Sequence, residues 1–172
     1  LQGIKRLLGE NKVSYISSDE LGDFRPLSAE MSPDGAGFTA QYFVRDSKQP
    51  ILTRTEQAVD FMWEMKSPDA SIQADKFREA RFEMKFIPPV DGKYTFRFTA
   101  GGGIAYVYNN EWAGAPVTIA HPGKGEGTVS ASLDLKKGVM LRLCLIYKKD
   151  KGDAAVRVEW QSPQTELAAR QW

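Results

Sequence analysis

Arg81-Phe82-Glu83-Met84-Lys85-Phe86 places apolar side chains at every second position, with charged residues between them. Successive side chains of a strand point to opposite faces, so this spacing calls for a half-buried β-strand. Pro88-Pro89-Val90-Asp91-Gly92 then breaks the pattern. Proline fixes φ and glycine tolerates the left-handed region, so the segment reads as a turn. Residues 93–99 restore the alternation, with Tyr94, Phe96 and Phe98 on one face. The two runs are predicted to pair as a β-hairpin.

The same period extends outward. Phe38, Ala40 and Tyr42 alternate with polar residues, and residues 59–63 form a short apolar segment. Residues 104–108 run into Asn109-Asn110, a pair suited to a tight turn. Val129, Ala131, Leu133 and Leu135 alternate with Ser130, Ser132 and Asp134, and Lys136-Lys137-Gly138 turns the chain. Residues 139–147 are apolar on nearly both faces apart from Arg142, which predicts a central strand. Val156, Val158 and Trp160 mark a last strand, closed by Ser162-Pro163. No helical crossover lies between residues 81 and 160, so the fold class is all-β, an antiparallel β-sandwich. At the N-terminus, Leu1, Ile4, Leu7 and Leu8 have helical spacing, capped by Gly9, and residues 12–17 form a strand candidate. Residues 17–35 are polar and carry Pro26, Pro33 and Asp34-Gly35, which reads as a linker. Residues 165–171 could start a helix.

Composition excludes several functions. The 172 residues carry 23 Lys+Arg, 22 Asp+Glu and a net charge of +1. A near-neutral chain lacks the basic stripe that phosphate neutralisation requires, so no nucleic-acid partner is expected. One Cys allows no internal disulfide framework, and one His excludes an HExxH metal centre. No run approaches the roughly 18 apolar residues of a membrane span, so no membrane partner is expected. The sequence opens inside a helical pattern without an initiator Met. It is read as a piece of a longer chain whose targeting segment lies elsewhere or has already been removed.

Several segments together resemble a known family. Gly37-Phe38-Thr39-Ala40-Gln41-Tyr42-Phe43, Val59-Asp60-Phe61-Met62-Trp63, residues 82–86, Gly92-Lys93-Tyr94-Thr95-Phe96, residues 104–110 and residues 156–160 occur in the order of the protective-antigen fourteen-kilodalton domain family. The resemblance covers residues 37–163. Leu1-Gln2-Gly3-Ile4, Leu8-Gly9 and Val13-Ser14-Tyr15 also resemble the edge of the C-terminal α/β domain of glycoside hydrolase family 3. In that family a protective-antigen-type domain is often inserted after such a segment. The two resemblances together imply an insert from a β-glucosidase-like enzyme. Residues 1–20 would be the α/β edge, 21–36 a linker, 37–163 the sandwich and 164–172 a tail.

No catalytic constellation emerges. Glycosidases need paired carboxylates. Here Glu83 and Glu159 alternate with apolar residues, and Asp91, Asp150 and Asp153 sit in turns, so solvated faces and turn roles account for them. The resemblance agrees, because the family 3 nucleophile and acid/base lie outside such an insert. Lectin-like relatives carry an Asp-Asp pair in the loop after the Tyr-Thr-Phe strand. Here that loop reads Thr99-Ala100-Gly101-Gly102-Gly103, without carboxylates, so no metal is expected. No cofactor is implied. Cys144, in the central strand, reads as a buried thiol.

The candidates for carbohydrate contact are Trp112, His121, Asn110 and Glu111. Trp112 follows the Asn109-Asn110 turn, and its flat ring suits the C–H face of a pyranose; its bland alternative is a cover over the sandwich mouth. His121 lies in a Gly- and Pro-rich stretch, either simply solvated or reaching a ligand. The loop from residue 113 to 127 is long enough to carry function. The expected role is a non-catalytic accessory domain of a glycosidase, extracellular or periplasmic. Its expected partners are a glycoside or oligosaccharide substrate and the catalytic domains of the same chain. An independent lectin- or adhesin-like module and a structural, homodimer-forming domain remain alternatives.

Overall fold

The computed structural model describes residues 24–64, 66–109, 118–120 and 127–163. The helix-strand step expected over residues 1–16 and the helix start near 165 lie outside them. Eleven strands run through the described residues: β1 (Arg25–Pro26), β2 (Phe38–Val44), β3 (Leu52–Glu56), β4 (Asp60–Glu64), β5 (Phe77–Phe86), β6 (Gly92–Gly101), β7 (Gly103–Asn109), β8 (Thr118–Ala120), β9 (Gly127–Leu135), β10 (Leu141–Lys149) and β11 (Ala154–Gln161). They form the two antiparallel sheets of a sandwich. One sheet has the order β3-β2-β5-β10-β7-β8. The other has the order β1-β11-β6-β9, with β4 sharing the β11 edge that β1 uses. The expected all-β sandwich is the fold observed.

Alternation becomes burial as anticipated. Phe82, Met84 and Phe86 of β5 are fully buried, and so are Tyr94 and Phe96 of β6. Their partnership differs from the expected hairpin. β5 pairs with β2 and β10, whereas β6 pairs with β11 and β9. The two runs face each other across the sandwich instead of lying side by side. Period-two alternation fixes which face is apolar, but a neighbour beside it and a layer opposite satisfy it equally well. The turn segment spans the gap between sheets, about 10 Å in such folds. It is pinned on both flanks. Tyr94 Oη donates to the Val90 carbonyl at 2.9 Å, and the Gly138 amide donates to the Pro88 carbonyl at 3.0 Å.

Across the gap, the Phe86 ring stands 5.5 Å from Tyr94, 5.5 Å from Phe96 and 5.2 Å from Trp160, each close to edge-on. Edge-to-face contact matches the positive edge of one ring to the negative face of another. A second aromatic group, around Trp63, packs Phe61, Phe77 and Tyr147 at 5.2–5.8 Å between centroids. β10 is central, between β5 and β7. Cys144 is fully buried there, and burial raises its thiol pKa.

The polar stretch before Gly37 holds structure that its composition hides. β1 pairs with β11, and Leu27 is fully buried while its amide donates to the Val158 carbonyl at 2.9 Å. The Arg25 guanidinium lies 3.9 Å over the Trp160 ring. β3 was also unmarked in the sequence, because Leu52 is its only aliphatic residue.

Truncating Phe86 to Ala is expected to cost about 3–5 kcal/mol, the range for a fully buried aromatic. Tyr94→Phe should cost about 1 kcal/mol, the net worth of one hydrogen bond. Urea unfolding of the two variants beside Ile51→Ala, whose side chain is 51% exposed, checks the ranking. Equal midpoints for all three would remove the interlayer contact as the core's centre.

Candidate functional site

The Gly101-Gly102-Gly103 segment is not the open loop its composition suggests. β6 ends at Gly101 and β7 begins at Gly103, so a single residue carries the chain from one sheet to the other. Gly102 has φ +58°, and a Cβ there would overlap the Asp153 carbonyl. A Cβ at Gly103 would overlap the Lys148 carbonyl and meet Tyr147 Oη at 2.9 Å. Tyr147 Oη donates to the Gly101 carbonyl at 2.7 Å, and the Asp150 amide to that of Gly102 at 2.9 Å. The glycines therefore serve close backbone approach at a corner.

β7 leads from this corner to the opposite end of the sandwich. Trp112, His121, Asn110 and Glu111 lie outside the described residues, but the strands that carry them are described. Asn109 pairs with Leu143, and Ala120 pairs with Ala105. The anchors lie four positions apart along β7, about 14 Å at a strand's rise. The chain leading to Trp112 thus departs from one end, and the chain leading to His121 departs near the corner. β8 interrupts the continuous loop expected from residue 113 to 127. Thr118 and Ile119 are β-branched, and pairing with β7 satisfies a backbone that a loop would leave to solvent.

At the Asn109 end, the six-stranded sheet carries a cleft of about 320 Å3. Asp34, Gly37, Thr39, Thr55, Glu83 and Lys85 line it, with Met140 as an apolar wall. Asp34 Oδ1 accepts from the Ala36 amide at 3.0 Å and the Ser32 hydroxyl at 3.3 Å. The Ala36 amide is the main cause holding the Asp34 carboxyl below its usual range. Glu83 is gripped by Arg142 at 3.0 Å and stands 3.7 Å from Lys85. Its side chain is half-buried, not simply solvated. Glu159 departs further from that expectation: it is buried and held by Arg97 through two 2.8 Å bonds. The cause is register, because Glu159 lies opposite Arg97 across β11 and β6. Lys85 lies opposite Arg142, the neighbour of Leu143, so the cleft and the anchor of Trp112 share one end. Sequence reasoning did not find this cleft, since Asp34 read only as a turn residue. Its one local signal is Gly37, whose φ of +114° bends the chain into β2. Among the described residues, no three His, Cys, Asp or Glu side chains converge as a metal site would require.

The family model of the PA14 domain matches residues 35–169. The chain belongs to the PA14 domain family. No curated protein matches it. Solved structures share the fold. An anti-sigma factor domain-containing protein from Clostridium clariflavum is 23% identical with a TM-score of 0.60, covering 88% of this chain and 47% of that one. The β-glucosidase from Kluyveromyces marxianus, solved in complex with glucose, is 18% identical with a TM-score of 0.59, covering 87% of this chain and 19% of that one. The Epithelial Adhesin 6 A domain from Candida glabrata, in complex with Galb1-3GlcNAc, is 13% identical with a TM-score of 0.56, covering 83% and 84%. This PA14 domain spans less than half of the first two. Among its described residues, no helix is long and apolar enough to cross a membrane.

Gly102→Ala should destabilise this PA14 domain by more than 1 kcal/mol, because left-handed strain adds to overlap with a carbonyl. Gly138→Ala has the same strain at φ +73° but open space around its Cβ, so it should cost less. Thermal unfolding ranks the pair, and the reverse order would refute the corner's packing role. The Asp91 carboxyl is held low by the Lys137 amide, then by Lys136. A depressed carboxyl contributes stability above its unfolded pKa and loses it as pH falls through the folded value. Stability should therefore drop on acidification below about pH 4, and Asp91→Asn should flatten that slope in urea melts taken across pH.

Proposed function

We propose that this PA14 domain is a non-catalytic accessory domain of a β-glucosidase-like glycoside hydrolase. It shapes the substrate pocket of its parent and contacts carbohydrate. The observation that carries this reading is the likeness to the Kluyveromyces β-glucosidase, in which a stretch matching 87% of this chain makes up 19% of a much larger enzyme. The family 3-like residues 1–20 support it, since they precede a sandwich whose first strand is already β1. The end of the sandwich that bears the cleft is the functional end. Trp112, two residues beyond Asn110, offers a stacking ring, and Asn110, Glu111 and the cleft's carboxylates and hydroxyls offer hydrogen bonds to sugar. His121, directly after β8, is the further polar group offered to a ligand. The mechanism is specificity: the domain limits how many sugar units fit beyond the scissile bond. Catalysis stays with the parent's own carboxylates. Such a protein works outside the cytoplasm, where oligosaccharides are met.

In the full-length enzyme, Trp112→Ala should lower kcat/KM for longer oligosaccharides by about 1–2 kcal/mol, the scale of a lost aromatic contact. Short aryl glycosides should change little. Equal losses on both substrate classes would refute the pocket-shaping role. The isolated 172-residue chain should not turn over aryl β-glycosides.

A second reading, an independent sugar-binding module, is favoured by the adhesin domain, which this chain matches over 84% of its length. Calorimetric titration of the isolated chain with oligosaccharides separates the two. Tight binding without a parent supports the module, and binding that needs the parent's catalytic domain supports the insert.

A further inference from the structure

The edges of the two sheets are unequal. In the six-stranded sheet, β8 has three residues, and β3 has five with Arg54 and Glu56 among them. In the five-stranded sheet, the far side of β11 is covered by β1 and β4, of two and five residues. Short and charged edges resist pairing with other chains. β9 is different. Its nine residues match β6 one for one without a register shift, and among the described residues nothing pairs with its other side. Gly127-Thr128-Val129-Ser130-Ala131-Ser132-Leu133-Asp134-Leu135 has no Pro, no Lys and no Arg. Thr128, Ser130, Ser132 and Asp134 are exposed, while Val129, Ala131, Leu133 and Leu135 are half-buried against the core. A long, regular edge of this kind is a template for another strand.

The strand is also its own chemical complement. Turned about Ala131, Ser130 meets Ser132, Val129 meets Leu133, Thr128 meets Asp134 and Gly127 meets Leu135. Apolar residues meet on the inner face, and on the outer face hydroxyls meet hydroxyls or a carboxylate. No like charges oppose each other. A two-fold interface needs this self-complementarity, since one patch must fit its own copy. We propose that β9 is a homodimerisation edge, pairing antiparallel with β9 of a second copy about Ala131. The pairing joins the five-stranded sheets of both copies into one and covers the half-exposed apolar row at the edge. It stands independently of the carbohydrate reading, because β9 carries none of the candidate sugar-contact residues.

Sedimentation velocity of the 172-residue chain from about 1 to 200 µM tests it, a range that brackets a micromolar dimer. The expected result is a concentration-dependent rise from 19.2 kDa to twice that mass. The double variant Ser130→Lys, Ser132→Lys sets like charges opposite one another twice, which opposes pairing. It should weaken dimerisation at least tenfold while leaving the thermal midpoint of the monomer nearly unchanged. Ser130→Lys with Ser132→Glu sets opposite charges across the same positions and should restore the dimer. A wild-type chain that stays monomeric throughout, or a dimer that survives both lysines, overturns the proposal. Failure of the Lys/Glu variant to recover overturns the register about Ala131.

Discussion

Phe86 meeting Tyr94, Phe96 and Trp160 across the sandwich is the contact on which the rest depends. It joins the last residue of a strand in one sheet to three residues of the other. The chain between Phe86 and Gly92 is thereby held to a crossing between layers. Once that crossing is set, β6 must find its partners in the second sheet, and Gly102 must return the chain to the first. The short edge strand β1 is recruited to the same place, for the Arg25 guanidinium lies over the Trp160 ring. Large rings suit this role. Each closes much of the distance between sheets, and their edge-on geometry favours one arrangement over a generic apolar collapse.

The inner faces were legible because the inward residues of β6 and β11, and those of β5 from Ala80 to Phe86, obey a period of two; Phe77 falls out of step where the β2–β5 register shifts. The centrality of β10 was legible because its apolar residues occupy both faces. The pairing of the strands was not. Phe82 to Phe86 and Tyr94 to Phe98 carry the same pattern whether they neighbour or oppose each other, and proline-glycine segments suit a turn and a crossing alike. β1 and β3 escaped for another reason. Edge strands bury little and their stability comes from the ladder, so Arg25, Pro26, Thr53 and Thr55 carry no hydrophobic signature. The glycine corner showed only as an absence of side chains, and the need for that absence lies in the Asp153 and Lys148 carbonyls, remote in sequence. Of the candidate site, the sequence picked out Trp112 and His121 by residue type. It could not place their anchors at different ends of β7, and it missed the cleft at Asp34 and Glu83, which forms only when β2, β3 and β5 align.

Four arginine–carboxylate pairs share one role. Glu159 on Arg97, Glu83 on Arg142 and Asp60 on Arg157 are cross-strand pairs, while Glu79 on Arg81 lies along one strand. Each ties a carboxylate to a guanidinium on the outer surface of a sheet. Burial is costly for a lone carboxylate and tolerable for one gripped by a planar fork of donors. Glu159 and Glu83, weighed in the sequence as solvated faces, are thus structural, and Glu83 also faces the cleft.

The antiparallel pairing of β1 with β11 sets how the domain can be connected to anything else. Arg25 sits opposite Trp160 and Pro26 opposite Glu159, so the polypeptide arrives and departs through points about 5 Å apart, the spacing of paired strands. A host protein need not part its own backbone to receive such a unit. A surface turn whose ends are already that close could accept the whole sandwich, with little added loop-closure entropy.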